Sequence, residues 1–213
     1  MVYYDNLGNA CKFEDKARFS HGTQADIFLY DKVILKSYYE DMLCRFDART
    51  FDILKKIKSR NFMNLIKRYS KEKNSGVVDA YTASFIEEKN NLEDYTVEQF
   101  LSEVSGLIRL VDFFANYGIL MSDVHKDSLI VSDHIKLIDP DKYILCKAPK
   151  SVLVSQNRGQ LLNALKSYLM EYIDEVSDSQ VYELFNINRK GNIEDEMKEK
   201  IGTKKYIMNY LIK

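Results

Sequence analysis

The stretch Gly118–Leu145, GILMSDVHKDSLIVSDHIKLIDPDKYIL, sets two short apolar runs, SLIV and IKLI, among aspartates at 123, 127, 133, 139 and 141. Aspartate is a common turn residue because its side chain bonds to nearby backbone. The pattern therefore predicts strand, turn and strand, with Asp133 in the turn and Asp127 in loop structure. Carboxylates gathered this closely also have the chemistry of a site for a hard metal ion.

Working outward, the 213 residues are enough for one domain or two packed lobes with a substantial core. The 46% hydrophobic and 30% charged residues describe a chain that folds, not a disordered one. A formal net charge of -1 and a pI near 6.3 argue against a dominant nucleic-acid surface. Cys11, Cys44 and Cys146 are odd in number and widely spaced, so neither a disulfide framework nor a zinc site is expected. The start MVYYDNLGNACKFED lacks the basic and apolar regions of a signal peptide, and no stretch approaches the roughly 18 apolar residues of a membrane span. A reduced, cytoplasmic protein is the expectation.

Upstream, ARFSHGTQADIFLYDKVILKSY (Ala17–Tyr38) alternates apolar and polar residues on both sides of YDK, predicting a hairpin. DARTFDILKKI (Asp47–Ile57) has helical spacing and ends at SRN. FMNLIKRYS and GVVDAYTASFIEE, separated by KEKNSG, predict further strands. Next, TVEQFLSEVSGLIRLVDFFANYG predicts a long helix, or two joined near Gly106. Thr96 would be its N-cap, and Phe100, Val104, Leu107, Leu110, Val111 and Phe114 its buried face. From Gln156 on, helix is expected, with Asn157 tied to the preceding acidic loop. The last helix, Asn192–Lys213, would dock through Tyr206, Ile207 and Leu211. Strands early and helices late predict an α+β fold.

Four features then fall in order: SHGTQADI with Gly22, VILK ending at Lys36, MSDVHKDS around Asp123, and DPD beginning at Asp139. In this order and separation the chain resembles the protein-kinase-like family. Ser20, Gly22 and Ala25 stand at the three glycine positions of the family's GxGxxGxV loop and Ile27 at its valine. Lys36 matches the VAIK lysine, Asp123 the catalytic aspartate of HRDxxxxN, Ser128 its asparagine, and Asp139 the aspartate of DFG. The resemblance implies a two-lobed fold: residues 1–88 a small antiparallel sheet with one helix, residues 89–213 a compact, mostly helical lobe. It implies ATP and magnesium, or manganese, as cofactors. Lys36 would meet the phosphates, Asp139 the metal, and Asp123 the acceptor hydroxyl. Backbone groups from Ile86 to Glu88, with Glu87 and Glu88 in the connection between lobes, would meet the adenine.

The departures shape the expected activity. Met121 and Ser122 replace the family's histidine and arginine, and the segment from Asp139 to APK (Ala148–Lys150) is too short for a long regulatory loop. Ser128 and Asp141 are candidate metal ligands beside Asp139, with Asp141 equally suited to capping the next turn. His125 lies either near the transferred phosphate or bonded to loop backbone. The acid expected to pair with Lys36 falls on Thr50, leaving Asp47 as the nearer candidate and Asp52 as a poorer one. The implied function is transfer of the γ-phosphate of ATP to a hydroxyl, with protein serine or threonine as acceptor. The alternatives are a pseudokinase acting as a nucleotide- or protein-binding module, a small-molecule kinase, and a purely structural α+β domain.

Overall fold

Strand-forming alternation begins at the first residues of the chain. In a computed structural model, which describes residues 1–14, 18–22, 24–40, 46–88 and 95–170, β1 (Val2–Asp5) and β2 (Ala10–Lys12) form a hairpin. Asp5 closes its turn by accepting the amides of Leu7 at 2.9 Å and Asn9 at 2.8 Å. There follow β3 (Arg18–His21), β4 (Ala25–Tyr30) and β5 (Val33–Tyr38), the last two joined at Asp31, whose φ of 56° is left-handed. Then come β6 (Phe46–Asp47), α1 (Ala48–Leu54), β7 (Leu65–Ser70), β8 (Val77–Val78) and β9 (Ala80–Ser84). Seven of these strands make one sheet in the order β2-β1-β7-β9-β5-β4-β3, with every neighbouring pair antiparallel.

The rest of the described chain is α2 (Val97–Asn116), β10 (Ile119–Leu120), β11 (Leu129–Val131), β12 (Ile135–Leu137), β13 (Ile144–Leu145) and α3 (Lys150–Met170). Thr96 and Gln99 form the expected capping box, and all six residues expected on the inner face of α2 are buried. Gly118, at φ 72°, ends the helix in the left-handed conformation that glycine adopts without cost. Arg158 on α3 grips Asp112 on α2 through two hydrogen bonds of 2.7 and 2.5 Å. Among the described residues no helix is long and apolar enough to cross a membrane. The expected helix at Asn192–Lys213 lies outside the described residues.

This architecture corrects the expectation of a small sheet followed by a compact, mostly helical lobe in a two-lobed, kinase-like arrangement. The seven-stranded sheet is the largest element, and the described residues contain three α-helices against thirteen strands. The physical reason lies in Gly118–Pro149. Turn-forming aspartates and two prolines break it into apolar runs too short for helices; β11 pairs with β12 as the local pattern predicted, and β10 pairs with β13 besides. The chain at Asn61–Met63 adds to β12 on its free side, with Leu137 donating to Asn61 O at 2.9 Å and accepting from Met63 N at 3.1 Å. One core cluster consequently runs from Ala25, Tyr38 and Phe51 through Val104 and Leu137 to Leu165.

α2 runs unbroken through Gly106 because that glycine makes room for a neighbour. A Cβ there would stand 2.2 Å from Asn61 Oδ1, and Asn61 is buried and held by its Nδ2, which donates to Glu103 Oε2 at 2.5 Å and Ile135 O at 2.9 Å. Gly106→Ala is therefore expected to destabilise the fold by about 1–3 kcal/mol through overpacking, despite alanine's higher helix propensity. A lower urea midpoint with an unchanged slope is the expected measurement.

Candidate functional site

Cross-strand register builds the floor of the site. Ser20 pairs with Ile27, Ile27 with Lys36, and Lys36 with Tyr81, so the four side chains share one face of the sheet. The opposite face carries Phe28 and Leu35 in a separate cluster with Tyr3 and Tyr69. Ser20, Ile27 and Lys36 open onto a cavity of about 300 Å³, whose far wall is made by Asp123, His125, Asp139, Asp141 and Lys142.

Asp123 and Asp139 both sit in left-handed backbone, at φ 57° and 55°. Aspartate tolerates this region better than most residues, yet each such position costs of order 1–3 kcal/mol, and such positions concentrate at functional sites. Lys36 Nζ lies 2.7 Å from Asp139 Oδ1 and 2.5 Å from Asp141 Oδ2. Tyr81 donates its hydroxyl to Asp141 Oδ1 at 3.1 Å. Asp123 Oδ2 is bonded by Lys142 Nζ. Ser122 Oγ donates to Lys142 O at 2.9 Å, which ties the Asp123 loop to the turn after Asp139.

These contacts set the charges. Burial alone would lower the Lys36 ammonium's pKa, but Asp141 and Asp139 outweigh it and hold the value above that of an ordinary lysine. Burial pushes the Asp141 carboxyl up, against the pull of Lys36. The hydrogen bond from Lys142 holds Asp123 below the usual carboxylate range, so it is ionised at neutral pH. A cation thus faces each half-exposed carboxylate, Lys36 at Asp139 and Lys142 at Asp123, their side chains 43% and 52% accessible.

Nine of the residues singled out in the sequence line this one cavity: Ser20, Gly22, Ala25, Ile27, Lys36, Asp123, His125, Asp139 and Asp141. Gly22 does not use left-handed backbone, and its amide is committed to Ala25 O at 3.0 Å. His125 is half exposed, with Nδ1 3.4 Å from Asp127. Ser128 is buried; its hydroxyl accepts the His125 amide at 3.3 Å and does not line the cavity. Glu87 and Glu88 are exposed and stand away from it. Asp47 is not the partner of Lys36: it caps α1, accepting Thr50 N at 2.8 Å, while Asp52 holds Arg68. Gln24 and Lys142 also line the cavity and carried no sequence signal, since an isolated glutamine or lysine reads as solvated surface.

Among the described residues no group of three or more His, Cys, Asp or Glu side chains is gathered as a metal cage. The site defines a protein with a lysine and paired acids at the junction of an antiparallel sheet and an acidic loop. No protein-family model matches the chain, and no curated protein matches it.

Proposed function

We propose that the chain is an ATP-dependent phosphotransferase that passes the γ-phosphoryl group of ATP to a hydroxyl, with protein serine or threonine as the acceptor. The observation that carries this reading is the pairing of Lys36 with Asp139 opposite Asp123, in one cavity, with both aspartates held in left-handed backbone. The order of the four motifs adds to it, and the reading rests on the site and not on the architecture. Phosphoryl transfer asks a protein chiefly for positioned phosphates, neutralised charge and an oriented nucleophile.

Lys36 supplies a fixed positive charge to the phosphates. Asp123, kept ionised by Lys142, orients the acceptor hydroxyl and takes its proton as ADP leaves. Asp139, half exposed and bearing hard oxygen donors, would hold a magnesium or manganese ion, which would supply further neutralising charge. Ser128 does not fit as a second ligand, because its hydroxyl is buried and bonded to His125. The free thiols of Cys11 and Cys146 suit a cytoplasmic location.

A second reading, a nucleotide-binding module without turnover, is favoured by the same Lys142, which occupies the Asp123 carboxylate. Labelled ATP with magnesium separates the two, using generic proteins and small alcohols as acceptors. Asparagine is the cleaner substitution at both acids, since it tolerates left-handed backbone. We expect Asp139→Asn to weaken nucleotide binding about tenfold and Asp123→Asn to leave binding intact while lowering transfer about a hundredfold. Binding without transfer to any acceptor would select the module. Absence of ATP binding would sink both.

A further inference from the structure

We propose that Asp141, and not an acid of helix α1, is the residue that positions Lys36, so that the lysine and the acid at Asp139 are set by one short segment. The inference rests on the phosphotransferase reading for its consequence, but its geometry stands apart from it. Asp141 Oδ2 lies 2.5 Å from Lys36 Nζ, and its other oxygen accepts the Tyr81 hydroxyl at 3.1 Å. Both oxygens are thereby engaged, and the side chain is only 10% accessible. Asp139 is different: its side chain is 43% accessible and faces the cavity.

The helix offers no competitor. Thr50, at the position where an acid was expected, is fully buried, and its hydroxyl donates to Asp47 Oδ2 at 3.1 Å. Asp47 spends the same oxygen on the Thr50 amide as the cap of α1. Around Asp141 the fold has instead built a tyrosine wall. Tyr81 pairs with Lys36 across the strands, Tyr38 lies two residues along β5 from Lys36, and both rings are buried. Phe51 of α1 meets the rings of Tyr81, at 5.9 Å, and Phe46, at 5.7 Å, so the helix supports the wall through aromatic packing and not through the charge.

Where an activating lysine is held by an acid on a separate helix, displacement of that helix breaks the pair and switches activity. Here the acid is two residues from Asp139, on the turn Pro140–Lys142 that also carries Lys142. Lys36 is thus positioned whenever that turn is in place, and α1 is no switch for it.

The test follows acylation of the Lys36 amine at one fixed pH by mass spectrometry, together with magnesium–ATP binding, in the full chain and in Asp141→Asn, Asp141→Glu, Asp47→Asn and Tyr81→Phe. Asp141→Asn should raise Lys36 acylation about tenfold, because the amine loses the buried carboxylate that holds it at 2.5 Å. It should weaken ATP binding while leaving the half-saturating magnesium concentration unchanged. Asp141→Glu should restore much of the protection, and Asp47→Asn should match wild type in both assays. If Asp141→Asn does not fold, Tyr81→Phe decides by a smaller rise in acylation. Unchanged acylation, an equal rise in Asp47→Asn, or a shifted magnesium requirement, which would make Asp141 a metal ligand, each overturns the proposal. Failure of wild type to bind ATP removes the phosphotransferase reading and leaves the acylation result to judge this one.

Discussion

Lys36→Met is expected to lower the unfolding free energy by about 3–5 kcal/mol and to abolish magnesium-dependent thermal stabilisation by ATP. Methionine has nearly the length of lysine, so the loss is of charge and not of volume. Asp139 turns to water when its partner goes, because nearly half of its side chain is accessible. Asp141 has no such recourse; it is left buried with only the Tyr81 hydroxyl, and an uncompensated buried charge is what makes breaking such a pair costly. The dependence on pH has a definite sign. Burial already raises the Asp141 carboxyl, and without Lys36 the strongest influence opposing that rise is gone. A carboxyl with a raised folded pKa contributes stability that is present below its unfolded value and lost as pH rises through the folded one. The deficit of Lys36→Met should therefore be largest at pH 8 and shrink as the pH falls toward 5. Melting curves across that range check it, and a deficit independent of pH would count against Asp141 as the stranded charge.

How much of this was legible in the sequence depends on the range of the interaction. Short-range signals read well. The alternation around Asp31 marks β4 and β5, and Thr96 with Gln99 marks the start of α2, whose six apolar positions are all buried. The strands β1 and β2 went unread because they are only four and three residues long, and one of the buried residues is an acid, Asp5. The helical second half was read from pattern, strands early and helices late, and reinforced by the resemblance. The aspartates and prolines of Gly118–Pro149 argued locally for paired strands, and they prevailed. At the site, the register of β3, β4 and β5 brings Ser20, Ile27 and Lys36 together from residues close in sequence. The partner of Lys36 was misread because a helix acid was sought nearby, whereas the contact that forms spans the chain to the turn after β12, where Asp139 stands 103 residues away. Lys142 was passed over for a related reason: its meaning comes from Asp123, and an exposed lysine carries no local signal of its partner.

The second large effect is expected at Asn157, an uncharged side chain that does not line the cavity. Its side chain is fully buried on α3, accepting Met121 N at 2.8 Å and donating to Ile119 O at 2.9 Å and Val111 O at 3.3 Å. One amide thus fastens the end of α2, strand β10 and the start of the Asp123 loop to α3, as the sequence led us to expect for the loop. Alanine would leave the Met121 amide and the Ile119 carbonyl buried without partners, at about 1–3 kcal/mol each, and would add a cavity. A loss of about 3 kcal/mol is expected for Asn157→Ala, which in a chain of this size lowers the melting temperature by about 6–12 °C. Asn157→Asp discriminates the cause. The aspartate keeps an acceptor for Met121 N but sets a buried carboxylate against the Ile119 carbonyl, so protonation relieves it. Asn157→Asp should accordingly recover stability as pH falls, whereas Asn157→Ala should not. Because Met121 stands two residues before Asp123, the phosphotransferase reading adds a kinetic consequence: at temperatures where Asn157→Ala remains folded, nucleotide binding through Lys36 and Asp139 should be nearly retained while transfer falls. Equal losses of binding and transfer would mean that Asn157 supports the whole fold and not the Asp123 loop in particular.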